Sequence, residues 1–151
     1  MSRIDLFMNK PDILFIVLTG PDGDRYGGII EKDRPILGEY AFLKEPTLQA
    51  TSSDKGFRVS FEDSFVQGKW PNWHLHVDVK NIGTGSHNLL VDLQFFAPSS
   101  PIWLHNNRPI DGSNAKIASY AFIGCEVSGN VEIDGFDYDV KGVGHLSLIH
   151  I

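Results

Sequence analysis

The sequence predicts an all-β, antiparallel fold, and three observations carry that expectation. Aromatic residues make up 11% of the 151 residues, and 15 glycines and 8 prolines punctuate the chain at short intervals. No stretch sustains the period of an amphipathic helix. Between the turn residues, apolar and polar positions alternate in short runs, the pattern of strands with one buried face.

Residues 12–19 form a nearly continuous apolar strand, followed by "GPDGDRYG", whose Pro-Asp-Gly order is turn chemistry, so "RYGGIIE" returns as the second arm of a hairpin. The paired glycines of that arm mark a bulge or a close strand crossing. They are not a dinucleotide fingerprint, because no G-x-G-x-x-G and no crossover helix follow. The segment "RPILGEYAFLKEP" carries a strand fenced by prolines. From Leu48, "LQATSSDKGFRVSFE" turns at Asp54-Lys55-Gly56 and sets Phe57, Val59 and Phe61 on one face.

The next two strands are the clearest. Trp73, Leu75, Val77 and Val79 alternate with His74, His76, Asp78 and Lys80, and Leu89, Val91, Leu93 and Phe95 alternate with outward Asp92 and Gln94. The Gly- and Ser-rich segment between them closes a hairpin. Residues 97–116 read as a long, proline-broken polar loop. Beyond it, Asp134-Gly135 is a two-residue hairpin turn of the type that needs positive φ. Counting outward pairs Ile133 with Phe136 and Val131 with Tyr138, and sets Glu132 against Asp137 on a face expected to be exposed.

The formal charge of -6, without a Lys/Arg cluster, argues against nucleic acid and against anionic membrane surfaces as partners. The run "ILFIVLTG" is far too short to span a bilayer and no cleavage site follows it, so the chain reads as cytoplasmic. Met1 as an internal methionine, with a signal peptide upstream, stays open. Cys125, the single cysteine, sits mid-strand and reads as a small buried hydrophobe. No serine lies in a Gly-x-Ser-x-Gly elbow.

Two sets of residues are candidates for a site. His74 and His76 share a strand face at a spacing that can place two imidazoles on one metal, with Asp78 next along and His87 and His105 in flanking loops. A cupin-like centre needs a further carboxylate and a third His from another strand. No second motif supplies them, so no metal and no cofactor are assigned, and the pair reads as polar residues on a solvated or interdomain face. The second set is aromatic: Trp70, Trp73, Phe95, Phe96, Trp103, Tyr120 and Phe122 lie on or beside neighbouring strands. Such rings either fill a core or line a cavity for an apolar ligand.

The order "FVQGKWPNWHLHVDV", "LLVDLQFFAPSSPIW", a loop, then "YAFIGCEVSGNVEIDGFDYDVKGVG" resembles the AttH-like family, which includes hydroxyneurosporene synthases and related carotenoid hydratases. The likeness covers residues 56–144, and its better markers are "GKWPNWHLH" and the "VSGNVEIDG" hairpin. It implies a lipocalin-like barrel or half-barrel, the first of two domains, that holds an isoprenoid or lipid-like molecule. If the whole protein is an enzyme, the resemblance implies a hydratase (a lyase) or isomerase, whose chemistry needs an acid in an apolar cavity. The ligand-contacting residues expected are Trp70, Trp73, Phe95, Tyr120 and Phe122, with His74 and His76 as the polar candidates turned toward the second domain. No catalytic residue is assigned. The alternatives are a noncatalytic domain whose aromatics are core, and the cupin-like metal barrel at His74 and His76.

The family's Tyr- and Asp-His-containing motif does not follow Gly144, where the chain reads "HLSLIHI". "LSLIHI" is also the in-frame translation of CTGTCTCTTATACACATC, a transposon end used in sequencing libraries. The expected division is therefore 1–145, a first domain of a longer protein, and 146–151, library sequence; the other reading of 146–151 is a natural last strand.

Overall fold

The structure, a computed structural model, describes residues 9–35, 47–112, 114 and 116–150. The described residues contain ten strands and no helix, and all pairing is antiparallel. β1 (Asn9–Thr19) and β2 (Arg25–Pro35) form a separate hairpin. β3 (Leu48–Ser53), β4 (Gly56–Phe61), β5 (Ser64–Lys69), β6 (Asn72–Ile82), β7 (His87–Phe96), β8 (Ile102–Pro109), β9 (Lys116–Ile133) and β10 (Phe136–His150) form one sheet in the order β10-β9-β7-β6-β5-β4-β3, with β8 also on β9. The strand expected within residues 34–46 falls mainly on 36–46, outside the described residues.

The sheet curls but does not close, because β3 and β10 are its two ends and do not pair. The expected barrel or half-barrel is thus an open, curled antiparallel sheet. Its inner face follows the alternation of β6 and β7: Val77, Val79, Leu89 and Val91 are buried, and with Ile82, Val131 and Ile133 they make the larger core cluster. Burying an aliphatic side chain of this size stabilises the fold by about 1.5–3 kcal/mol each. The β1–β2 hairpin lies over this cluster and packs Leu14, Ile16, Leu18, Tyr26 and Ile30 against it. Gly28 sits where the hairpin crosses the β6–β7 turn. A Cβ on Gly83, at φ 71°, would stand 2.2 Å from the Gly27 carbonyl oxygen, so the backbones can meet there only with glycine at position 83. Asp12, 6% exposed, accepts a hydrogen bond from the Leu48 amide at 3.0 Å and ties β1 to the start of β3. The hairpin's outer face leaves Ile13, Phe15, Val17 and Ile29 exposed.

Residues 97–116 are not simply a loop. Ile102–Pro109 form β8, which lies end to end with β7 along the 18-residue β9. Its side chains are nearly all exposed, so backbone pairing to β9 holds it rather than burial, and composition alone does not register such pairing. The turn at Asp134-Gly135 has φ of 51° and 86°, and it sets Ile133 opposite Phe136, Glu132 opposite Asp137 and Val131 opposite Tyr138.

A single irregularity places the aromatics. From Ile133 back to Cys125, odd-numbered β9 residues face inward; strict alternation would turn Phe122 and Tyr120 outward. Gly124, at φ 70°, is an extra residue in the β9–β10 register, which passes from Cys125–Gly144 to Ile123–His145. This bulge resets the parity, so Phe122 (3% exposed) and Cys125 (0%) share one interior while Ile123 is exposed. β10 continues to His150, and Leu146 packs against the cluster of Trp73, Ala97, Phe122 and Cys125.

Candidate functional site

β6 carries a different chemistry on each face. On the inner face, Trp73 is buried and its ring stands 5.7 Å from that of Phe122, which stands 5.7 Å edge-on from Tyr120, itself 5.0 Å from Trp103. These four rings come from β6, β8 and β9, and the Gly124 bulge is what aligns the β9 pair. With Trp70, Phe57, Gly56 and Gly68 they line an open cleft of about 590 Å³ beneath the β3–β4 turn. Two hydrogen bonds to backbone carbonyls fix the segment beside the cleft: the Trp70 side-chain Nε1–H donates to Ser99 at 3.1 Å, and the Ala97 amide donates to Pro71 at 2.7 Å.

The structure therefore brings Trp70, Trp73, Tyr120 and Phe122 to one cleft. Phe95 does not line it; it lies beside Trp73 in register and packs behind, against the cluster. Trp103, a member of the wider aromatic set but not among the expected ligand contacts, joins the lining, as does Phe57, which the sequence placed only on a strand face with Val59 and Phe61. Phe96 is turned away and 42% exposed.

Two polar features belong to this cleft. Trp73 Nε1 is the one buried side-chain polar atom without a hydrogen-bond partner among the described residues. A buried donor left unmade costs about 1–3 kcal/mol. Burial raises the Tyr120 hydroxyl above its usual pKa, so the phenol remains a protonated donor at neutral pH. Asp54 is the single carboxyl group among the described lining residues, and it is exposed. The cleft thus offers apolar walls and donors, without a buried acid.

On the outer face, His74 and His76 meet a residue the sequence reading left unassigned. Asp92 stands opposite His76 on β7, and its two oxygens are shared out: Oδ1 accepts from His74 Nε2 at 3.0 Å and Oδ2 from His76 Nδ1 at 3.1 Å. Phe65 fixes both rings, stacked on His76 and edge-on to His74, each at 5.2 Å between centroids. Arg58 lies 3.9 Å from the centre of the Phe65 ring, over its face, and donates to Gln67. Partial burial pushes the Asp92 carboxyl up, but the hydrogen bonds from His76 and His74 and their proximity outweigh it and hold it below the usual carboxylate range. His87 and His105 stand elsewhere, bonded to Asp134 and Ser119 respectively, and Asp78 stands opposite Leu90. The histidines and the aromatic cleft are thus on opposite faces of one strand.

A further cleft of about 520 Å³, between β2 and the β6–β7 turn, is lined by mixed charges and bridged by the Lys32–Glu62 ion pair at 2.8 Å. Both partners are well exposed, so the pair contributes little. No helix of the described residues is long and apolar enough to cross a membrane. No family model, curated protein or solved structure matches the chain.

Proposed function

We propose that this domain binds an apolar small molecule, of isoprenoid or lipid-like character, in the aromatic cleft. The observation that carries the reading is the unbroken row Trp73–Phe122–Tyr120–Trp103 along an open cleft. Flat rings from several strands give a large apolar contact area at little entropic cost, the usual make-up of a small-molecule site. An acceptor on the ligand that reaches Trp73 Nε1 removes the cost of that orphaned donor. The resemblance to the AttH-like family supports the same ligand class. Binding, rather than hydration or isomerisation, is the activity assigned to these residues, because the lining holds no buried acid to protonate a double bond.

The test is titration of the full chain with an environment-sensitive lipid probe. Trp103→Ala removes an exposed cleft wall without opening the core, and it should weaken the probe by about tenfold, or about 1.4 kcal/mol. An unchanged affinity in this variant and in Tyr120→Ala, both folded, means that the rings are only core.

A further inference from the structure

We propose that His74, His76 and Asp92 form a binding site for a divalent transition-metal ion of the zinc class, on the face opposite the aromatic cleft. The proposal is independent of ligand binding in that cleft.

The geometry is the first ground. One ligand atom from each of the three side chains lies within 4.8 Å of the other two. Around a tetrahedral zinc, with bonds of about 2.0–2.2 Å, neighbouring ligand atoms stand roughly 3.3 Å apart. The nitrogen–oxygen separations of 3.0 and 3.1 Å, one to each oxygen of Asp92, are close to that spacing. Two imidazoles and a carboxylate are the donor set that suits zinc, nickel or copper and not calcium or magnesium.

The second ground is preorganisation. The histidines are two residues apart on one strand and Asp92 is fixed opposite His76 by the β6–β7 ladder, so three ligands come from two rigid elements. Phe65 holds both imidazoles by its contacts, and the ring rotation a metal would otherwise have to freeze is already restricted. Asp92 forms its ion pairs with these two histidines alone among the described residues, so no lysine or arginine takes its charge.

The site is also open. The side chains of His74, His76 and Asp92 are 34%, 26% and 49% exposed. Three protein ligands on a solvent-facing sheet leave a coordination position for water or for an outside ligand, as in sites where the metal acts rather than merely staples. In the metal-free protein, the two nitrogens facing Asp92 carry protons. Binding transfers each proton to the far nitrogen of its ring or to solvent.

Calorimetric titration of the full chain with zinc chloride tests the site, with imidazole signals followed by NMR during the same titration. The expected result is a single equivalent bound, with ring signals of His74 and His76 shifting together and those of His87 and His105 unmoved. Asp92→Asn keeps the shape of the side chain and should weaken zinc by at least the roughly 10–100-fold that follows loss of an outer partner. His105→Ala should leave the affinity unchanged. Absence of zinc uptake by the folded wild type overturns the proposal and leaves a hydrogen-bonded triad. So does zinc binding that Asp92→Asn does not weaken, or that shifts other histidines instead.

Discussion

His87 Nδ1 donates to Asp134 Oδ2 at 2.6 Å, and this contact joins two turns that are 47 residues apart in the chain. Asp134 Oδ1 also accepts from the Asn88 amide at 2.8 Å, and the Asp134 amide returns a bond to the Asn88 carbonyl at 2.9 Å. Tyr26 of the β1–β2 hairpin sets its ring edge-on to His87 at 5.0 Å. The turn of β9–β10, the start of β7 and the covering hairpin thus meet at one imidazole.

This junction makes stability depend on pH in a stated direction. The bond from the Asn88 amide, then the one from His87, hold the Asp134 carboxyl below its ordinary range. A carboxyl lowered in the folded state binds its proton more readily when unfolded, so its contribution is complete above the ordinary value near 3.9. It is lost as pH falls through the lower folded value. Thermal melts should therefore decline more steeply in acid for the wild type than for Asp134→Asn, which has no proton to gain. Parallel curves would show that the junction does not sense pH.

Trp73 offers a second test. Trp73→Phe removes the orphaned indole N–H and keeps a ring against Phe122, so the recovered desolvation of about 1–3 kcal/mol offsets the lost contact. Urea unfolding should place this variant within about 1 kcal/mol of wild type, whereas Trp73→Ala should cost about 3–5 kcal/mol. Equal losses in the two variants would mean that the N–H is satisfied in solution.

The bulge at Gly124 gives a third. A Cβ at this position meets nothing within 4 Å, so a substitution there is penalised by its φ of 70° and not by crowding. Gly124→Ala should lower stability by about 1–2 kcal/mol, and Gly124→Asn by less, since asparagine tolerates left-handed backbone. Deleting the residue is different in kind. It should expose Tyr120 and Phe122 and bury Ile123, a change that tyrosine fluorescence and loss of probe binding would report.

Much of the fold is legible in the residues themselves, where side-chain pattern and local turn chemistry agree. Val77, Leu89 and Val91 declare the inner face by alternation, and Asp134-Gly135 fixes the β9–β10 register with no other information. β8 is not legible, because Pro101 and Pro109 bracket it and its exposed side chains carry no burial signal; only its partner strand reveals it. Asp92 illustrates the same limit within the site. Its outward direction follows from alternation, but its place opposite His76 depends on the β6–β7 register, which shifts between Val79 and Ile82. One residue of slip would bring a different side chain to the histidines.

Cys125 carries the last consequence. It is fully enclosed between Trp73, Ala97 and Phe122, beside the bulge, with its thiol donating to the Phe122 carbonyl at 3.5 Å. A thiol reagent can reach it only when the aromatic cluster parts, and there is no second cysteine to confuse the signal. The rate of its alkylation is thus a clock for opening beneath the cleft, built into the native chain and readable without any label.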